Sequence, residues 1–310
     1  MVGSMQLDQM SQIAKALSDD SRLRLLALCN RGELTVSDLV KITGLSQPRT
    51  SRHLNILQDV GLLESFRERH FIYYRGTLAS PHKQIVNRLL QSVDEDDPIL
   101  VEDARHWRSL QAERSALAET YVEAEIPDWL ELHQYHGDST AFAEHVSALL
   151  KDHDVGHILD IATGTGRMLC TVGKMASSGY GVDLSDKMVI VARNAIETAK
   201  LNHLSVRKEN MYALRFPAEV FDTITIDQVL YFADRPADLF TEAARVLKSS
   251  GQLLVVAFTA HDKASQDVAI TVDIRDIINW LADAELSVEQ IDKIPGDSLD
   301  ISLILASKVQ

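Results

Sequence analysis

The sequence predicts a multidomain chain: a small helix-rich head closed by a β-hairpin, then an α/β domain on an open, mostly parallel sheet. Three observations predict it. Capped helical segments crowd the first eighty residues and end in two short β-type runs around Arg67-Glu68-Arg69. An acidic break with proline, Asp94-Glu95-Asp96-Asp97-Pro98, follows, and charge plus proline resists helix continuation. Beyond it, apolar strand-like runs alternate with helical periods, the pattern of βαβ units.

Composition sets the bounds. At 310 residues the chain is long enough for two cores. Hydrophobic content of 45% and charged content of 25% are ordinary for a soluble protein. Cys29 and Cys170 both sit in apolar helical patterns, which suggests neither a disulfide framework nor a Cys-based metal site. A reducing cytoplasm is expected. No apolar run approaches the roughly 18 residues of a membrane span, and the polar first residues do not read as a signal peptide. The net charge of −14 is unevenly spread: residues 1–79 carry ten Lys+Arg and eight Asp+Glu, leaving −16 on the remainder. A mildly basic head on an acidic body is compatible with local DNA contact, because phosphates meet a surface and not a total.

In the head, Leu7, Met10, Ile13, Ala14 and Leu17 recur at helical spacing. Asp19-Asp20-Ser21 is acid-rich first-turn chemistry for a second helix, which ends near Arg31-Gly32. Thr35 or Ser37 caps a short helix from Val36 to Ile42, and Thr43-Gly44 turns the chain. A further helix runs from Ser46 to Val60 and closes on Gly61. Two helices joined by a short glycine turn form a helix-turn-helix signature. On the second of them Leu54 and Leu57 face the core with Thr50 behind them, while Arg49, Arg52, His53 and Asn55 fall outward, with Gln47 and Ser51 near the start. Arg suits guanine, Gln and Asn suit adenine, and Ser and His can hold phosphates. We assign Gln47, Arg49, Thr50, Ser51, Arg52 and His53 to DNA, together with Arg67 and Arg69 at the hairpin tip, where a wing meets the backbone or minor groove.

Leu45-Ser46-Gln47-Pro48-Arg49-Thr50-Ser51-Arg52-His53-Leu54 and the downstream Gly61-Leu62-Leu63 resemble the ArsR-type winged-helix repressors over about residues 7–80. The resemblance implies double-stranded operator DNA as partner and a homodimer joined through the first helix and the helix after Pro81. Metal-sensing members carry paired cysteines in a segment similar to Glu33–Leu39, where this chain has Thr35 and Ser37. Hydroxyls are poor substitutes for thiolates, so no metal is expected.

The α/β domain is organised around Ile158-Leu159-Asp160-Ile161-Ala162-Thr163-Gly164-Thr165-Gly166-Arg167. An apolar strand breaks into a small-residue loop and then a helix. Glycines 164 and 166 permit positive φ and close approach of backbone N–H groups to a ligand. Leu169 stands where a dinucleotide fingerprint needs its third glycine, so NAD is disfavoured. Asp183 ends a second strand, where an acid can accept both hydroxyls of an adenosine ribose. Further strands are expected at Val206–Met211, Phe221–Gln228 and Gly251–Phe258, with an antiparallel finish at Leu286–Ile291 and Asp300–Ala306.

Asp160-x-Ala162-x-Gly164-x-Gly166 followed by Asp183 resembles the first motif and ribose acid of class I S-adenosylmethionine (SAM) methyltransferases, over roughly residues 134–310; Ala162 stands where glycine is more usual. The resemblance implies a Rossmann-like seven-stranded sheet and an adenosyl ligand, SAM or its demethylated product S-adenosylhomocysteine (SAH). It implies contacts from Asp160, Ala162, Thr163, Gly164, Thr165, Gly166, Asp183, Leu184, Asn210, Met211, Asp227 and Gln228. Tyr121, Trp129 and Tyr135 stand where similar enzymes place an aromatic lid, and ordinary core packing explains them equally well. Arg105, Arg108, Glu113 and Arg114 read as solvated helix charges. The expected division is a winged helix-turn-helix over 1–80, dimerisation and linker helices over 81–133, and the methyltransferase-like domain over 134–310.

Three functions fit: a regulator that senses SAM or SAH, an active small-molecule methyltransferase with a DNA-binding appendage, and a DNA-binding protein with a purely structural α/β domain. No Asn-Pro-Pro-Tyr or Asp-Pro-Pro-Tyr follows the Phe221 strand and no Pro-Cys nucleophile occurs, so no catalytic residue is assigned. The sensor is favoured, with Asp160, Asp183 and Asp227 as an acidic pocket edge that tells a charged sulfonium from a neutral thioether.

Overall fold

The structure, a computed structural model, describes residues 5–68, 70–78, 81–94, 96–125, 139–151, 153–260, 271–295 and 299–309. It divides into two compact units, Met1–Ala116 and Leu117–Gln310.

The first unit opens with α1 (Leu7–Leu17) and α2 (Asp20–Cys29). Asp19 caps α2 by accepting the Arg22 N–H at 3.1 Å. A two-residue strand, β1 (Leu34–Thr35), leads into α3 (Val36–Thr43), whose first turn is a capping box between Thr35 and Asp38. Gly44, at φ 70°, ends α3 and sets the turn to α4 (Gln47–Asp59), where proline stands in the first turn. The hairpin follows as β2 (Leu63–Glu68) and β3 (Phe71–Gly76), then α5 (His82–Gln91) and α6 (Pro98–Glu125), the last crossing the division between the units. The three strands form one antiparallel sheet in the order β1-β3-β2, with Leu34 opposite Tyr74. Strand β1 is too short to show a period and is absent from the sequence reading. Leu25, Leu26, Leu34, Leu39, Leu54, Leu57 and Leu62 make a sealed core.

Helix α6 is fixed to that core by charge. Arg24 donates from Nε and Nη2 to the two oxygens of the buried Asp103, both at 2.7 Å. Arg114 pairs with Asp38 at 3.0 Å, Lys41 with Glu113 at 2.6 Å, and His106 Nδ1 meets the Ile42 carbonyl at 2.9 Å. Arg114 is therefore a partly buried tertiary contact, while Glu113 is a largely solvated charge in an exposed pair. A helical period marks which side chains are polar but not which polar face meets another helix.

The second unit contains α7 (Ser139–Leu149), β4 (His157–Ile161), α8 (Arg167–Gly173), β5 (Ser178–Asp183), α9 (Asp186–Thr198), β6 (Leu204–Lys208), β7 (Phe221–Asp227), α10 (Pro236–Val246), β8 (Leu247–Ala260), α11 (Ile274–Asp283), β9 (Leu286–Ile294) and β10 (Leu299–Lys308). The seven strands run in the order β6-β5-β4-β7-β8-β10-β9. Pairs from β6 to β8 are parallel, and β10 is antiparallel to both neighbours. The sheet is a Rossmann-like methyltransferase fold with the expected antiparallel finish. Helices α7, α8 and α9 pack Phe142, Val146, Leu169 and Val189 on one face. Helices α10 and α11 pack Phe240, Ala243, Ile277 and Leu281 on the other. Burial on both faces explains why the parallel strands read as continuous apolar runs. The chain leaves β4 first toward β5 and later returns to its other side as β7, so a crevice opens beyond their carboxyl ends.

Candidate functional sites

On the head, α4 presents Gln47, Arg49 and Arg52 outward, Ser51 is half-buried, and Arg67 is exposed on β2. Arg69 lies outside the described residues. Two residues expected to face DNA are instead buried. Thr50 is 0% exposed and donates its hydroxyl to the Ser46 carbonyl at 3.1 Å, and His53 is 8% exposed. Positions 50, 53, 54 and 57 are one helical stripe, so the stripe that buries Leu54 and Leu57 takes Thr50 and His53 with it. Burial holds the His53 imidazole below its ordinary pKa, against the pull of Asp19. Its Nε2 accepts from Arg49 Nε at 3.3 Å, and Arg49 Nη2 donates to Ser21 at 2.9 Å. Arg49 is thus tied back to α2, and Arg52 is the free cation of the recognition face among the described residues of α4.

In the second unit, a cavity of about 310 Å³ opens at the carboxyl edge of the sheet. It is lined by Ala162, Thr163, Gly164 and Thr165 from the loop after β4, by Asp183 and Leu184 after β5, by Asn210 and Met211 after β6, and by Asp227 and Gln228 after β7. All ten were expected there. Left-handed backbone shapes this floor: φ is 53° at Gly164, 56° at Ala162 and 53° at Gln228. Ala162 holds with a Cβ a conformation that glycine adopts freely, a strain of about 1 kcal/mol or more.

Asp183 Oδ2 accepts the Gly164 N–H at 2.9 Å and Oδ1 accepts the Ser185 N–H at 2.8 Å. Burial pushes this carboxyl above its ordinary pKa while those N–H groups oppose the shift. The acid pins the glycine loop and keeps lone pairs toward the cavity.

Asp160 and Gly166 do not line the cavity. Asp160 is 0% exposed beneath the loop and accepts the hydroxyls of Thr163 at 2.5 Å and Thr225 at 2.6 Å. Gly166, at φ 81°, opens α8, and a Cβ there would stand 3.2 Å from Ala192 Cα and Cβ. Both residues support the loop from outside the cavity lining. The pleat turns Asp160 inward, between the loop and β7. Burial raises Asp160 to about 7 from 3.8. Below about pH 4 this group is protonated whether folded or not, and its full contribution to stability is present. As pH rises from about 4 toward 7 only the unfolded chain ionises, so stability is lost across that window. We expect denaturant unfolding of the second unit to show this loss, and Asp160→Asn, neutral throughout, to flatten it.

Arg167, Met188, Glu209, Tyr212, Val229 and Phe232 also line the cavity and were not assigned as site residues from the sequence. The sequence marks Arg167 as a helix start. Its Nη2 bonds Asp227 Oδ2 at 2.8 Å, and its guanidinium lies 4.1 Å from the Phe142 ring centre. With Asp160 outside the cavity lining and Asp227 paired with Arg167, Asp183 is the unpaired carboxyl of the expected acidic edge among the described residues. Among the described residues, four buried polar atoms of this pair and its neighbours have no hydrogen-bond partner: Asp227 Oδ1, Arg167 Nη1, Gln228 Nε2 and the Tyr231 hydroxyl. Burial and the Asp227 charge push the Tyr231 hydroxyl up, so it stays a donor. Two acceptor-seeking nitrogens beside two donor- or acceptor-type oxygens suit a polar, zwitterionic ligand end. Of the expected lid, Tyr121 lies on α6 with Lys187 Nζ 5.7 Å from its ring centre, while Trp129 and Tyr135 lie outside the described residues. Among the described residues, no group of three or more His, Cys, Asp or Glu is placed to hold a metal ion. No helix of those residues is long and apolar enough to cross a membrane.

Comparisons with known proteins follow the two units. The family model described as bacterial regulatory protein, arsR family, matches residues 19–65. The methyltransferase domain model matches residues 159–255. The chain is 37% identical over 65 residues to the transcriptional repressor SdpR of Bacillus subtilis, covering 21% of this chain and 72% of that protein. It is 36% identical over 105 residues to the arsenic resistance transcriptional regulator ArsR1 of Pseudomonas putida, covering 34% of this chain and 75% of that one. It is 27% identical over 158 residues to the ubiquinone/menaquinone biosynthesis C-methyltransferase UbiE of Roseobacter denitrificans, covering 47% and 63%.

Proposed function

This chain belongs to the arsR family of bacterial regulatory proteins, and we propose that it is a cytoplasmic, homodimeric regulator whose methyltransferase domain holds SAM or SAH as an effector of operator binding. The observation that carries the reading is the union in one chain of an outward recognition face and a cavity built from the ten expected adenosyl contacts. The residues fit the ligand. Asp183 is the acceptor for ribose hydroxyls, Asn210 and Met211 border the adenine end, and the orphaned atoms of Arg167, Asp227, Gln228 and Tyr231 meet the amino-acid end. Support for a dimer comes from α1, which leaves Leu7 87% and Met10 43% exposed along a face that the resemblance assigns to the partner.

Helix α6 supports coupling, because its ion pairs bind it to α2 and α3, which frame the recognition helix. A ligand shifts DNA affinity only by its differential affinity for the competent and incompetent states. The test uses the full chain and duplexes selected by it from a random pool. One of SAM and SAH is expected to change duplex affinity at least several-fold, and the duplex to change that ligand's affinity by the same factor. Equal duplex affinity with saturating SAM, saturating SAH and neither, alongside methyl transfer to an added acceptor, would establish the enzyme instead.

A further inference from the structure

We propose that the wing of the head carries an apolar wedge, Phe71 with Ile72, which enters the minor groove of bound duplex DNA and bends it; this rests on the regulator reading. Phe71 is 55% and Ile72 39% exposed, side by side at the hairpin tip where the β2–β3 ladder ends on the pair Glu68–Phe71. The apolar residues nearer the root are packed. Tyr74 is 5% exposed in the head core, and Phe66 stacks on Tyr73 at 5.4 Å with an 11° interplanar angle. Apolar surface is therefore offered to solvent at the tip while the root is rigid.

Successive strand residues point to opposite faces of a ribbon. Phe71 and Ile72 thus project one apolar side chain from each face of the tip, not a flat patch, with Glu68 across the ladder from Phe71 and Arg67 across from Ile72. A flat patch matches another protein surface, whereas a two-sided edge matches a slot. The occupant is set by charge and continuity. Arg67, exposed, stands directly across the ladder from Ile72, and His70 is exposed at the turn. The wing starts at Leu63, shortly after the recognition helix ends at Asp59, so a polyanion held by α4 is the surface next in reach. Apolar side chains inserted between base steps unstack and kink a duplex toward the major groove, most readily at TA and CA/TG steps.

The experiment uses the full chain, a duplex selected from a random pool, and the end-to-end distance of that duplex read by energy transfer between dyes at its two ends. The unmodified chain is expected to bend the duplex. Phe71→Ala is expected to lose most of the bend and about five- to tenfold in affinity, with unchanged thermal unfolding because the ring is largely solvent-exposed. Phe71→Leu, still a wedge, keeps both. Arg67→Ala keeps the bend and lowers the salt dependence by about one phosphate contact. An unbent duplex with the unmodified chain, or an unchanged bend with Phe71→Ala, overturns the wedge and leaves the regulator reading standing. A changed oligomeric state in Phe71→Ala at unchanged bend assigns the tip to a protein contact and also overturns it. A chain that selects no duplex overturns the regulator reading, and the wedge with it.

Discussion

Asp183→Ala lowers the affinity of the second unit for both SAM and SAH at least tenfold, read by isothermal titration calorimetry on the full chain. Two effects add. The carboxylate is the acceptor we propose for two ribose hydroxyls, and a hydrogen bond to a charged group contributes about 1.5–3 kcal/mol. The same group accepts the Gly164 and Ser185 N–H groups, so its removal also releases the glycine loop that forms the cavity floor. Asp183→Asn separates the two effects. It keeps one acceptor and similar volume, and its affinity should fall between those of the alanine variant and the unmodified chain. Thermal unfolding of each variant without ligand controls for loss of fold. Undiminished binding of both ligands by a folded Asp183→Ala variant would show that Asp183 does not hold the ribose, whereas no binding of either ligand by the unmodified chain would leave the domain as a scaffold.

Arg52→Ala combined with Gln47→Ala reduces affinity for a selected duplex by roughly a hundredfold, while leaving adenosyl-ligand affinity unchanged. Each base-edge contact of this type is worth about 1–3 kcal/mol of discrimination. Both side chains are exposed on α4, so their removal leaves no cavity in the core. His53→Ala serves as the contrast. Its ring is buried against Arg49, so its loss should lower the melting temperature of the head, with weaker DNA binding only as a consequence of that instability. Fluorescence anisotropy on the selected duplex, and on a scrambled one of the same length, separates lost specificity from lost charge. Selected-duplex affinity retained in the Arg52/Gln47 double variant would remove α4 as the reading helix.

The fold was legible wherever local chemistry and period agree. Asp19, the Thr35–Asp38 box, Gly44 and Gly61 punctuate the head helices, and each does in the structure what its side chain or missing Cβ permits. The parallel strands were legible because burial on both faces makes their sequences uniformly apolar. The glycine loop and Asp183 were legible because a backbone that must approach a ligand leaves few residue choices. Each cap and strand is written within a few neighbouring residues, and Gly164 and Asp183 lie only nineteen positions apart, one βα unit.

Only tertiary structure decided what depends on a distant neighbour. Arg167 starts a helix, as its sequence predicts, but its place at the cavity followed only from β7, which brings Asp227 to 2.8 Å from sixty positions along the chain. The burial of Asp160 beneath the loop, where Thr225 from that same strand takes one of its oxygens and its carboxyl is raised to about 7, is not written around position 160. His53 looked like an outward residue although its position lies on the stripe of Leu54 and Leu57; the docking of α4 on α2 decided how wide that buried stripe is. Strand β1 exists because β3 offers it a partner, not because two residues prefer a strand. Periodicity and capping act over one turn or one pleat, and these sequence signals suffice for the identity of the domains. Ionisation state, the orphaned atoms around Arg167 and Asp227, and the exposed tip of the wing follow from which surfaces the packed chain brings together and which it leaves to a partner.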